Sequence, residues 1–157
     1  MEYIKYERVG VEDTRLLVKY RVQFLIELMG NKPDESINLL SKELESYFNE
    51  FIPLGKYVCW WAKDQDEVVG IGGMAIRLNP GSFKNPTGKV GYIMNMYTLP
   101  AYRRRGISSK ILQKLINSGR EMGISFFELH ATKEGEPMYI KHGFEQHTEP
   151  TYRKYIE

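Results

Sequence analysis

Apolar and polar positions change period several times along the chain, and each change marks an element. Tyr3 to Val9, with tyrosines three apart and charges between apolar positions, suits a first strand. From about Glu12 to Met29, Leu17, Tyr20, Phe24 and Leu28 recur at helical spacing, and Gly30-Asn31-Lys32-Pro33 ends that stripe. A second helix follows. Asp34 is its expected N-cap, and Ile37, Leu40, Leu44, Tyr47 or Phe48, and Phe51 continue the stripe until Pro53 and Gly55 stop it. Tyr57 to Ala62 and Glu67 to Leu78 read as a strand hairpin around the polar turn Lys63-Asp64-Gln65-Asp66. Asn79 to Gly88 is a loop by composition. Lys89 to Leu99 is predicted as a fourth strand, followed by a helix to about Ser118, a strand at Ser125 to Thr132 and a short helix at about Glu136 to Lys141. Strands at Phe144 to Gln146 and Tyr152 to Ile156 complete the order β-α-α-β-β-β-α-β-α-β-β.

A chain of 157 residues with 42% apolar and 27% charged residues fits a single soluble domain over 1–157. No apolar run approaches the roughly 18 residues of a membrane span, and Met1 to Arg8 lacks a signal-peptide layout, so the expectation is a cytoplasmic protein without a membrane partner. Cys59 is the sole cysteine, which excludes an internal disulfide and a cysteine-based zinc site. Its setting, Tyr57-Val58-Cys59-Trp60-Trp61, suits a buried structural thiol. His130, His142 and His147 lack a compact ligand spacing, and no metal is expected.

Charge changes the picture at one place. The formal net charge is only +2, yet Arg103, Arg104, Arg105, Lys110, Lys114 and Arg120 fall between Ala101 and Arg120 with no acidic residue among them. There a strand reaches Pro100, the chain turns through Arg103-Arg104-Arg105-Gly106, and a helix opens on Ile107-Ser108-Ser109. The first N–H groups of a helix have no intrahelical partner and carry partial positive charge, so backbone donors and arginines converge on one point. This is an anion cradle suited to phosphate. It is not the ATP-binding loop, because no glycine stands five residues before Gly106 and no Lys-Ser/Thr pair follows it.

A second glycine pattern is a decoy. Gly70-Ile71-Gly72-Gly73-Met74-Ala75 satisfies the dinucleotide-binding spacing, but that motif needs a helix starting inside it, and Pro80 arrives five residues after Ala75. The glycines are expected to mark a strand against which something packs closely.

Arg103-x-x-Gly106-x-Ser108, preceded by Pro100, resembles motif A of the GNAT superfamily of N-acetyltransferases, in which Gly or Ala is usual where Ser108 stands. Serine is small and can cap a helix, so the departure from the pattern is mild. Downstream, Met138-Tyr139-Ile140-Lys141-His142-Gly143-Phe144 is similar to the family's Leu-Tyr-x-x-x-Gly-Phe signature. The resemblance spans nearly the whole chain and implies the acyl-CoA N-acyltransferase fold, an α/β (α+β) architecture. Its central sheet would be mixed, mostly antiparallel, with six to seven strands and about four flanking helices.

The resemblance also implies chemistry. The cosubstrate would be acetyl-coenzyme A, its pyrophosphate over the backbone of Arg104, Arg105, Gly106, Ile107, Ser108 and Ser109 with Arg103 beside it. The pantetheine arm would pair with the strand backbone at Met96, Tyr97 and Thr98, admitted by a bulge that splays this strand from its neighbour. Backbone N–H groups near Met96 and Tyr97 would stabilise the oxyanion. Tyr139 occupies the position of a tyrosine near the coenzyme sulfur, where a neutral phenol can protonate the departing thiolate. For the base, His130, Glu128 and Asn95 are candidates: an imidazole titrates near neutrality, Glu128 shares its strand face if the strand is regular, and Asn95 could orient the acceptor or a water.

The acceptor is expected between the first two helices and the C-terminal strands. Six acids against two bases from Glu27 to Glu50 favour a cationic amine, small-molecule or peptide. The expected activity is acetyl transfer to a primary amine by direct attack in a ternary complex. The alternative is a non-catalytic acyl-CoA sensor on the same fold, and a homodimer is compatible with either. Near-neutral total charge and the lack of a nucleic-acid motif argue against nucleic acid as partner.

Overall fold

The computed structural model describes residues 3–156. Five strands pair in chain order: β1 (Ile4–Arg8), β2 (Tyr57–Asp64), β3 (Glu67–Leu78), β4 (Lys89–Thr98) and β5 (Phe127–Leu129). Neighbours run antiparallel except β4 and β5, which are parallel. Four α-helices accompany them: α1 (Thr14–Met29), α2 (Asp34–Phe51), α3 (Ile107–Glu121) and α4 (Glu136–Lys141).

Both sheet faces are covered, which is why β2 and β3 read as nearly continuous apolar runs. Tyr57, Cys59, Trp61 and Ile71 bury against Leu17, Val22, Phe24 and Phe48 of α1 and α2. Val58, Ala62, Val69 and Met74 face Ile111, Leu112 and Leu115 of α3. Alternate residues of β2 therefore serve opposite layers. The glycines of β3 are the close-packing sites expected of them: a side chain at Gly72 would strike Met96 and Ile111, and one at Gly73 would meet Tyr57 Oη at 2.0 Å.

Several boundaries differ from the sequence reading. Pro33 rather than Asp34 precedes α2, and Asp34 and Glu35 lie in its first turn, where acids suit the helix dipole. Leu40 sits at the exposed margin of the α2 stripe. The strand expected over Ser125 to Thr132 contracts to Phe127–Leu129, because its register against β4 ends at Ile93↔Leu129. The strands expected at Phe144 to Gln146 and Tyr152 to Ile156 do not form, so the described residues hold five strands rather than six to seven. A three-residue edge strand offers little template for further pairing, and Tyr152, Tyr155 and Ile156 are exposed rather than packed on the sheet.

Among the described residues no helix is long and apolar enough to cross a membrane, and no group of three or more His, Cys, Asp or Glu is placed to hold a metal.

Candidate active site

The site begins with a register change. β4 pairs Tyr97 with Ile71 and Met94 with Gly73, so three steps along β4 match two along β3, and one extra residue must be accommodated. Asn95 takes it up at φ 60°, a left-handed conformation that asparagine tolerates better than most residues. The face that each side chain presents is inverted across this point: Met94 packs on the α1/α2 side, and Met96 two residues later packs on the α3 side. Asn95 Nδ2 donates to Tyr57 Oη at 2.8 Å, while its Oδ1 is buried without a partner among the described residues.

The β4–β5 ladder stops at Ile93, just before this bulge. Beyond it, Met94 to Thr98 have no strand partner on the β5 side, and a cleft of about 180 Å³ opens there. Asn95, Met96, Tyr97, His130 and Tyr139 all line it. An amide-rich chain laid along β4 would find backbone groups to pair with.

At the far end of β4 the chain forms the expected strand–turn–helix junction. Arg104 (φ 64°) and Gly106 (φ 78°) are both left-handed, and nothing lies within 4 Å of where a side chain at Gly106 would begin. The first closed turn of α3 is Lys110 N–H to Gly106 C=O at 3.0 Å, so the N–H groups of Ile107, Ser108 and Ser109 point out of the helix start. Ser108 does not cap the helix. It is already inside it, and its hydroxyl hydrogen-bonds to Thr98 Oγ1 at 2.6 Å, stapling the strand end to the helix start. Ser109 Oγ meets His142 Nε2 at 2.6 Å, which ties this turn to the end of α4. Arg103 Nε donates to Thr98 C=O at 3.0 Å, so its guanidinium is held beside the strand end. Arg104 is exposed, and Arg105 stacks 5.1 Å from the Tyr102 ring centroid. Ile107 buries its side chain in the core and can offer only its backbone.

At the reacting end, Tyr139 of α4 is buried, with Phe144 edge-on to it at 6.0 Å between centroids. Burial raises its phenol above the usual tyrosine value, so the protonated form dominates at neutral pH. His130 stands just beyond β5. Its Nδ1 is 2.7 Å from Tyr92 Oη, and the Arg77 guanidinium covers the Tyr92 ring at 3.8 Å. Glu128 is exposed on β5, across from Tyr92, and does not line the cleft. His130, Asn95 and Tyr139 are thus brought together, and Glu128 stays outside.

Four contributors were missed from sequence. Tyr57 and Tyr92 had no local signal, because each acts through a residue on another strand. His142 lay within the Tyr139-to-Phe144 motif without an evident partner. Arg21 of α1 lines the cleft beside Phe24 and Leu28, and its Nε is buried without a partner among the described residues. A cation one position past Tyr20 on an apolar helix stripe was the available clue.

The model of the Acetyltransferase (GNAT) family matches residues 25–144. A predicted acetyltransferase from Clostridium acetobutylicum, solved with acetyl-CoA, is 34% identical, with 97% of this chain and 96% of that one covered at a TM-score of 0.86. A GCN5-related N-acetyltransferase from Ralstonia eutropha, 23% identical, superposes over 97% of this chain and 99% of that one at a TM-score of 0.81. A glucosamine-6-phosphate N-acetyltransferase from Arabidopsis thaliana shares the fold at 19% identity, with 99% and 100% coverage and a TM-score of 0.69. No curated protein matches the chain. With motif A at the head of α3, a bulged β4 and a buried tyrosine on α4, the chain belongs to the GNAT acetyltransferase family.

Proposed function

We propose that a single domain over 1–157 transfers the acetyl group of acetyl-CoA to a primary amine by direct attack in a ternary complex. The observation that carries this reading is the convergence of the β4 bulge, Asn95, His130 and Tyr139 on one cleft, while β4 itself runs on to Thr98, which Arg103 and Ser108 of the cradle both bond. The pyrophosphate of the cosubstrate rests on the N–H groups of Ile107 to Ser109 with Arg103, Arg104 and Arg105 around it, and the pantetheine pairs along Met96 to Thr98. The Clostridium protein was solved with acetyl-CoA, which supports this choice of donor.

Within that frame the N–H groups beside the bulge receive charge that develops on the thioester oxygen. Tyr139, kept neutral by burial, delivers a proton to the leaving thiolate. His130 is the better-placed base, since it lines the cleft and Glu128 does not, and Tyr92 holds its other ring nitrogen. A thiol-release assay with acetyl-CoA over a panel of primary amines tests the reading. Saturable, amine-dependent release is expected, and His130→Ala should lower it by about 10²-fold or more. Tight coenzyme binding without release for any amine would favour the sensor instead.

A further inference from the structure

Two residues that line the cleft each carry a buried polar atom without a bonding partner among the described residues. Arg21 Nε is a donor and Asn95 Oδ1 an acceptor, and both residues line the same cleft. Such atoms are uncommon in folded proteins, because a buried donor or acceptor without a partner costs about 1–3 kcal/mol. Two in one cleft call for a ligand that satisfies both.

Arg21 is the sharper of the two. No Asp or Glu among the described residues pairs with it, although Lys5 and Lys63 both find Glu7 on the surface. Burial weakens its hold on the proton and the neighbouring Tyr57 works the other way, yet a guanidinium stays charged at any pH the fold meets. An uncompensated cation facing a cleft is matched by an anion with two parallel oxygens, and a carboxylate fits the Nε edge of guanidinium side-on.

Asn95 sits at the bulge, where the N–H groups near Met96 and Tyr97 would meet the thioester oxygen. An amine held by Asn95 Oδ1 is therefore next to the carbon it attacks. Phe24, Leu28 and Met94, also in the lining, are apolar and suit the carbon framework of such a ligand.

We propose that the acceptor is an amino acid: Arg21 receives its carboxylate and Asn95 Oδ1 its amine. This rests on the reading of the site as an amine acetyltransferase and narrows the substrate class. Arg21 becomes a specificity-determining residue on α1.

The test uses the full chain saturated with coenzyme A, so that binding is measured apart from turnover. Calorimetry with glycine, L-methionine, L-phenylalanine and 4-aminobutyrate, each beside its carboxamide, should show at least one carboxylate bound tenfold or more tighter than its amide. Arg21→Met should abolish that preference, and its Tm should equal or exceed that of the parent, because the change removes a buried charge without a partner. Equal binding of acids and amides, a preference that survives Arg21→Met, or no binding of any of the eight would overturn the proposal. Thiol release judges the underlying reading independently. Transfer to amines without carboxylate selectivity sinks the amino-acid proposal alone, whereas selective binding without release sinks only the enzyme.

Discussion

Tyr57 Oη accepts a hydrogen bond from Asn95 Nδ2 at 2.8 Å, and its ring reaches that position because Gly73 has no side chain. A residue of β2 thus clamps the irregularity of β4 by passing over β3. The clamp and the opening of the cleft are one piece of packing.

Gly73→Ala should break it. The added methyl would sit 2.0 Å from Tyr57 Oη, so the ring must move off Asn95. Overpacking of this kind costs about 1–3 kcal/mol, at roughly 2–4 °C in Tm per kcal/mol for a domain of this size. Thermal melting should fall accordingly, and kcat should drop more than coenzyme affinity. A variant with parental Tm and kcat would show that the clamp is idle. Tyr57→Phe should lose about 0.5–1.5 kcal/mol by urea unfolding.

Tyr139→Phe keeps the ring against Phe144 and removes only the hydroxyl. Turnover should fall about 10–100-fold with coenzyme Kd changed less than twofold. Because burial raises the folded-state pKa, the proton is retained through neutral and mildly alkaline pH. Loss of the acid then gives no decline in kcat below about pH 10, and any stability linked to this group is complete below that value and lost only above it. Unchanged turnover in the phenylalanine variant would remove the tyrosine from the chemistry.

In the cradle, Gly106→Ala meets no steric neighbour, yet it must hold φ near 78°. A modest loss of stability, on the order of 1 kcal/mol, should accompany a several-fold rise in coenzyme Kd. Arg103→Ala should weaken coenzyme binding about tenfold with kcat at saturation nearly preserved, since it acts on the anion and on the strand end rather than on the thioester. Isothermal titration of both variants checks the pair. An unaltered Kd in each would mean that the anion lies elsewhere.

Cys59 is 1% exposed on the face of β2 beneath α1 and α2, and burial carries its thiol far above the ordinary range. A chromogenic disulfide reagent should leave the native protein untouched at pH 8 and report one thiol only as the chain unfolds in denaturant. Rapid reaction in native buffer would contradict this burial.

The element order from β1 to α4 was legible because each segment carries its own period and its own stop, as in the run from Leu17 to Gly30 or the turn at Gln65 and Asp66. The cradle was legible for a related reason: its arginines, Gly106 and the serines are consecutive. The bulge was not, since nothing around Asn95 distinguishes an extra residue from a regular strand position until the partner register is known. The C-terminal strands failed because alternation predicts a strand's faces but not whether an edge exists to receive it, and β5 supplies only three residues. Arg21 and Glu27 show the limit most clearly. They lie six positions apart on α1, yet Glu27 accepts the hydroxyl of Tyr97 from β4 while Arg21 lines the cleft with no acid paired to it among the described residues. Only tertiary contacts separate these two charges.

The extra residue of β4 also acts as a reading frame. Flattening the bulge at the present strand length would slip every position after Asn95 by one and turn Tyr97 away from Phe24, on which it now stacks at 4.2 Å. The downstream half of the strand would be written inside out, its core residues offered to the wrong layer. Deleting Asn95, by contrast, would keep Met94 opposite Gly73 and Tyr97 opposite Ile71 and take away only the irregularity beside the cleft. The core on either side of Asn95 thus keeps the phase of a strand one residue shorter, and the surplus residue belongs to the cleft alone.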